Sequence, residues 1–91
     1  MKIGLLGFGV GRGVYELTRG RDDMQVVKVL RREDMQLPDA KTVRDIRDIV
    51  EDGSIDTVVE VMGGLHPAYD YVRAAIEAGK NVVTANKALV C

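Results

Sequence analysis

Met1-Lys2-Ile3-Gly4-Leu5-Leu6-Gly7-Phe8-Gly9-Val10-Gly11-Arg12-Gly13 opens the chain and joins a short apolar run to glycines at every second position from Gly7 to Gly13. Glycine has no Cβ, so it reaches φ > 0 at little cost and lets an anion approach the backbone amides. The helix that follows such a turn carries partial positive charge at its start. The stretch therefore predicts a strand, a tight pyrophosphate-binding turn and a helix. Its spacing departs from the Gly-x-Gly-x-x-Gly fingerprint: counted from Gly7 and Gly9 the third place holds Arg12, and counted from Gly9 and Gly11 it holds Val14. The loop reads one residue short.

Outward from this turn, strands alternate with helices. Lys2 to Leu6 predicts the first strand, and Gly13 to Thr18 a helix with Val14 and Leu17 on one side, ended by Gly20. Met24 to Leu30 is β-branched and nearly uninterrupted, as in a strand covered on both faces of a parallel sheet. Arg31 to Ala40 is polar, contains Pro38 and predicts a surface loop, and Thr42 to Arg44 a short third strand. Asp45 is placed to cap a helix with Ile46, Ile49 and Val50 on one face, stopped at Asp52-Gly53. Asp56 to Met62 predicts a fourth strand. After Gly63-Gly64, Pro67 opens a helix whose expected buried stripe is Ala68, Val72, Ala75 and Ile76, closed by Gly79. Asn81 to Thr84 predicts a fifth strand. The pattern is that of an α/β fold, a Rossmann-like doubly wound parallel sheet in a single domain. In such a sheet the strands' carboxyl ends bring Gly7 to Gly11, Gly63-Gly64 and Thr84 to Lys87 to one edge, where ligands of open α/β folds bind.

Composition bounds the rest. The 91 residues are 46% hydrophobic and 30% charged with a net charge of −1, which is globular and offers no broad electrostatic attraction for nucleic acid. No apolar run approaches a membrane span and no signal-peptide pattern opens the chain, so a cytoplasmic location and no membrane partner are expected. The single cysteine, Cys91, excludes an internal disulfide, and His66 has no histidine or cysteine at metal-ligand spacing. No metal is expected.

Arg31 and Arg32 follow the second strand, where an acidic residue would hydrogen-bond the ribose hydroxyls of NAD and an arginine accommodates the 2′-phosphate of NADP. The pair favours NADP, with NAD as the alternative and Glu33 and Asp34 next in line as the acid. Lys87 stands where a helix begins, a place the dipole slightly disfavours for a cation, so contact with cofactor or substrate negative charge is expected. Asn86 reads as that helix's cap. Glu60, inside an apolar strand, reads as structural, and Tyr69 and Tyr71 as packing.

GLLGFG-VGRGVYEL, VVKVLRRED and VVEVMGGLHPAYDYVRAAIEAGKNVVTANKALV together resemble the amino-terminal nucleotide-binding domain of homoserine dehydrogenase. The order and spacing of EVMGG and NVVTANKALV carry most of that likeness. The resemblance implies an NAD(P)-binding domain over residues 1–91 and an oxidoreductase that reduces aspartate semialdehyde to homoserine, in threonine and methionine biosynthesis. It implies Phe8, Gly9, Val10 and Gly11 as the pyrophosphate loop, Gly63 and Gly64 lining the cofactor groove, and Thr84 and Lys87 near the nicotinamide, with Lys87 the candidate catalytic residue. Arg32 matches the family position better than Arg31. The family's loop reads Gly-x-Gly-Thr-Val-Gly, and its threonine has no counterpart between Gly9 and Val10; the segment between the second strand and Asp56 is also short. The family's substrate domain is expected to be absent, leaving a domain that binds cofactor but scarcely turns over, with a truncated face open to homo-oligomer formation. Two alternatives stand beside this reading: a non-catalytic nucleotide-sensing module, and part of a related amino-acid dehydrogenase.

Overall fold

A computed structural model describes residues 1–7, 11–31, 37, 40–61 and 68–84. The elements run β1 (Lys2–Leu6), α1 (Gly11–Thr18), β2 (Gln25–Leu30), β3 (Lys41–Val43), α2 (Arg47–Val50), β4 (Thr57–Glu60), α3 (Ala68–Glu77) and β5 (Asn81–Thr84). All strand pairs are parallel, in the order β3-β2-β1-β4-β5. The first strand is thus the sheet's centre. Met62, Gly63, Gly64, His66 and Pro67 lie outside the described residues, as do Pro38 and most of the loop expected between Arg31 and Ala40.

Two apolar layers sandwich the sheet. On one face Ile3, Leu5, Val26 and Val29 pack with Tyr15 of α1; on the other Leu6, Leu30, Val43 and Val58 pack with Ile49 of α2, Ile55 and Ala75 of α3. Gly4 makes the second layer possible, because a Cβ built there would lie 2.5 Å from Ile49 Cγ2. Bare backbone at Gly4 lets α2 seat directly on the central strand. Beside it the β1–β2 register shifts between Ile3 and Gly4, so that Ile3 pairs with Val26 but Gly4 with Lys28. The irregularity carries Lys28 to the α2 side, where its Nζ donates to Asp48 O at 2.8 Å and pairs with Asp52 at 3.0 Å.

Two helix faces differ from expectation. Leu17, read as sharing one side of the helix with Val14, is 79% exposed, while Tyr15 and Thr18 are buried. Tyr15 reaches the first apolar layer, and the Thr18 hydroxyl is satisfied by Tyr15 O at 3.0 Å. In α3, Ala75 is fully buried and Val72 half-buried, but Ile76 is 60% exposed, with Tyr71 packing inward in its place. Tyr71 lies four residues before Ala75 and so shares its stripe. The α2 expectation holds for its apolar face: Ile49 is buried, with Ile46 and Val50 packed beside it. Asp45 stands one residue before the Ile46 N-cap and accepts the Arg47 N–H at 2.9 Å.

The turn between α2 and β4 is bound from three sides. Asp52 Oδ1 accepts from the Ser54 N–H and hydroxyl at 2.9 and 2.7 Å, and Lys80 Nζ donates to Asp52 O and Ile55 O at 2.8 and 2.6 Å. Ser54's two hydrogen bonds, and then Lys28, hold the Asp52 carboxyl well below the usual carboxylate range. Asp56 is lowered too, by the Thr57 hydroxyl and the Lys2 N–H. A carboxylate lowered in the folded state stabilises the fold above its unfolded value of about 4, and that stability is lost as pH falls below it. Urea midpoints measured from pH 7 down to pH 3 are therefore expected to fall on the acid side, and less steeply in Asp52→Asn. An equally steep acid limb in that variant would assign the loss to other groups.

Candidate functional site

The strands end in register. Val43, Leu30, Leu6, Glu60 and Thr84 are successive partners across β3, β2, β1, β4 and β5, and they form one row along the sheet's carboxyl edge. Backbone bonds extend the ladder past that row, with Gly7 N donating to Leu30 O at 3.1 Å, Arg31 N to Val43 O at 3.0 Å and Val61 N to Leu6 O at 3.1 Å. Gly7 has φ 91°, in the left-handed region that glycine adopts without a Cβ penalty, and there the chain leaves β1. It returns as α1, whose first residue is Gly11.

The start of α1 has the electrostatics of an anion site. No acidic residue stands in its first turn, whereas α2 and α3 carry Asp48 and Asp70 in theirs. An acid there would offset the amide dipoles and repel a phosphate. Gly13 adds room, since a Cβ built at that position meets nothing within 4 Å. These features fit a dinucleotide pyrophosphate, with Gly7 and Gly11 framing the turn.

Of the residues singled out from sequence, Gly11, Arg31 and Thr84 fall on this edge. Arg31 follows β2 and is half-buried; Thr84 ends β5, half-buried, and its hydroxyl donates to Glu60 Oε1 at 2.5 Å. Phe8, Gly9, Val10, Arg32, Glu33, Asp34, Gly63, Gly64, Asn86, Lys87 and Cys91 lie outside the described residues. The Glu60–Thr84 pair escaped the reading of single residues. Its signal was an acid at the end of one apolar strand and a hydroxyl at the end of the next, meaningful only once the register is known.

Away from the edge, a groove of about 420 Å³ runs between β2 and the α2 segment. Its charges satisfy one another, Lys28 with Asp52 at 3.0 Å and Arg47 with Asp45 at 2.8 Å, so it is a mixed-charge surface rather than a site. Among the described residues no group of His, Cys, Asp or Glu is arranged to hold a metal, and no helix is long and apolar enough to cross a membrane.

An all-parallel sheet of this order, with a glycine turn from its central strand into an acid-free helix start, defines the Rossmann-like α/β class. The profile of the homoserine dehydrogenase NAD-binding domain matches residues 7–91, and the chain belongs to that family. A homoserine dehydrogenase of Methylobacillus glycogenes is 42% identical over 105 residues, covering 99% of this chain and 26% of that protein. The 105 aligned positions exceed the chain's 91 residues, so the relative carries residues with no counterpart here. Two solved structures agree in fold. The homoserine dehydrogenase of Thiobacillus denitrificans superposes with a TM-score of 0.84 at 37% identity, over 99% of this chain and 24% of that one. That of S. aureus at pH 7.0 gives 0.83 at 32%, over 96% and 26%. The chain spans about a quarter of the length of the relatives it matches.

Proposed function

We propose that this chain forms the cofactor-binding part of a homoserine dehydrogenase, an oxidoreductase that reduces aspartate semialdehyde to homoserine, and that it prefers NADP to NAD. The observation that carries this reading is the match of residues 7–91 to the family's NAD-binding domain. The acid-free helix start at the sheet's carboxyl edge supports it. In this reading Phe8, Gly9, Val10 and Gly11 bind the pyrophosphate through backbone amides, and Arg31 and Arg32 take the 2′-phosphate. Gly63 and Gly64 leave room for the groove, while Thr84 and Lys87 stand at the nicotinamide end. When bound, the dinucleotide supplies the hydride, and the protein supplies orientation. Lys87 offsets negative charge of cofactor or substrate there. The domain extends over residues 1–91, serves threonine and methionine biosynthesis in the cytoplasm, and by itself binds cofactor with negligible turnover.

Calorimetric titration of the 91-residue chain with NADPH and NADH tests the assignment. Saturable binding of NADPH is expected, and an absence of binding up to millimolar concentration would refute it. Arg32→Ala is expected to weaken NADPH by about tenfold, the loss of one charge-assisted contact, while leaving NADH unchanged. Indifference of both cofactors to that change would remove the NADP preference. The residue missing from the glycine loop favours a second reading, a nucleotide-sensing module without catalysis. Robust homoserine oxidation by this chain would exclude that reading and the expected lack of turnover alike.

A further inference from the structure

The two edges of the sheet differ. The β3 edge carries Lys41 and is followed by Arg44, charges that keep a second strand away, whereas the β5 edge, Asn81-Val82-Val83-Thr84, has neither charge nor proline. Asn81 N donates to Asp56 O at 2.9 Å, so in the pleat Asn81 and Val83 direct their backbone groups to β4 and Val82 directs its own to the open side. Val83 is 57% exposed. The helix α3 continues the same end, riding over the β4–β5 pair that it connects, with Ala75 in one layer with Val58 and Val82. Tyr71 turns inward to that layer, and Tyr69, Val72 and Ile76, spaced three and four residues apart, line a groove of about 440 Å³ on the other flank. Arg73 and Glu77 close the groove as a mutual ion pair at 3.1 Å, so its rim carries no net charge and two copies meet there without repulsion.

We propose that this end of the domain binds a second copy of the chain about a two-fold axis, with β5 pairing antiparallel to β5 of the copy and α3 packing antiparallel on its α3. One rotation meets both requirements. An axis perpendicular to the sheet through Val82 lets the two Val82 residues exchange backbone hydrogen bonds and keeps both helices on the same face. Strands pair about 4.8 Å apart, so helices riding over the last strand pair of each copy lie about 9.6 Å apart, within the range of about 8–10 Å for packed helices. Tyr69 then faces Ile76 of the copy. The chain's two shorter extents, 25 and 22 Å, bound a cross-section of about 550 Å², and two such faces bury about 1,100 Å². That is just above the roughly 1,000 Å² a specific interface needs, and it sets the affinity in the micromolar range.

The proposal stands apart from the cofactor reading and is tested without cofactor, by sedimentation equilibrium of the 91-residue chain from about 1 to about 200 μM. A rise from the monomer toward twice its mass is expected across that range. Ile76→Lys and Val83→Lys, both at sites more than half exposed, are each expected to weaken the dimer at least about tenfold. Leu17→Lys on α1, also apolar and exposed, is expected to leave it unchanged. Hydrogen exchange supplies a readout in the unmodified chain: between the ends of that range the Val82 amide is expected to slow about fivefold, for a Kd on the order of 10 μM. A monomer at the highest concentration overturns the proposal and assigns the open end to a segment beyond Thr84. A dimer that tolerates either lysine, or that Leu17→Lys dissociates as readily, overturns it as well. If circular dichroism shows a lysine variant to be unfolded, the exchange decides: a Val82 amide indifferent to concentration in a dimerising sample refutes the proposal.

Discussion

Gly4→Ala is expected to destabilise the domain by about 1–3 kcal/mol, the usual range for forcing an extra methyl into a packed core. The new Cβ would sit 2.5 Å from Ile49 Cγ2 and 3.5 Å from Ile49 Cβ and Cγ1. Neither partner has room to yield. Gly4 lies in the central strand, paired on both sides, and Ile49 of α2 is fully buried against the sheet. Gly4 is not among the glycines with positive φ, so the substitution meets crowding rather than backbone strain. The entropy lost from the unfolded chain favours alanine by about 0.4–1 kcal/mol and offsets part of the cost. A double-mutant cycle isolates the contact. Ile49→Ala alone is expected to cost about 2–5 kcal/mol through its cavity, and the double variant less than the two singles together, because each change relieves the other. Urea unfolding of the four proteins measures this. Additivity to within about 0.5 kcal/mol would mean that the two sites do not meet.

Lys80→Met should cost about 2 kcal/mol, in line with the loss of hydrogen bonds made by a charged group. The Lys80 ammonium donates to Asp52 O and Ile55 O, closing the turn that feeds β4 onto the edge of β5. Methionine preserves the length of the stem but leaves two carbonyls to find water. Because the clamp lies at the opposite end of β5 from Thr84, stability is expected to fall while the affinity for NADPH at temperatures well below unfolding stays unchanged. A Lys80→Met variant as stable as the parent would show that water replaces the ammonium at no cost.

The sheet was legible because β-branched runs have little alternative to strand. Lys2–Leu6, Gln25–Leu30 and Asn81–Thr84 needed only their own residues and the glycines around them. Helix faces were less so. Leu17 and Ile76 satisfy helical periodicity as well as Tyr15 and Tyr71 do, and only the way each helix packs on the sheet selects between them. The shift between Ile3 and Gly4, which sends Lys28 toward Asp52, is a property of two strands together and leaves no mark on either alone. The site divides in the same way. Motif spacing singles out the glycines and Thr84 as expectations, whereas the contact of Glu60 with Thr84 required the β4–β5 register.

The position of β1 has a consequence for how the chain is made. Synthesis delivers the middle of the sheet first, and β2 follows soon enough to cover one of its sides. The other side stays open until β4 emerges; the Lys2 N–H waits for Asp56, 54 residues later in the chain. During that interval a hydrophobic strand exposes an unpaired edge, the condition under which nascent chains mispair. The half carrying the glycine turn and Arg31 is thus assembled before the half carrying Glu60 and Thr84, and a ribosome that stalls before residue 57 leaves β1 half-covered.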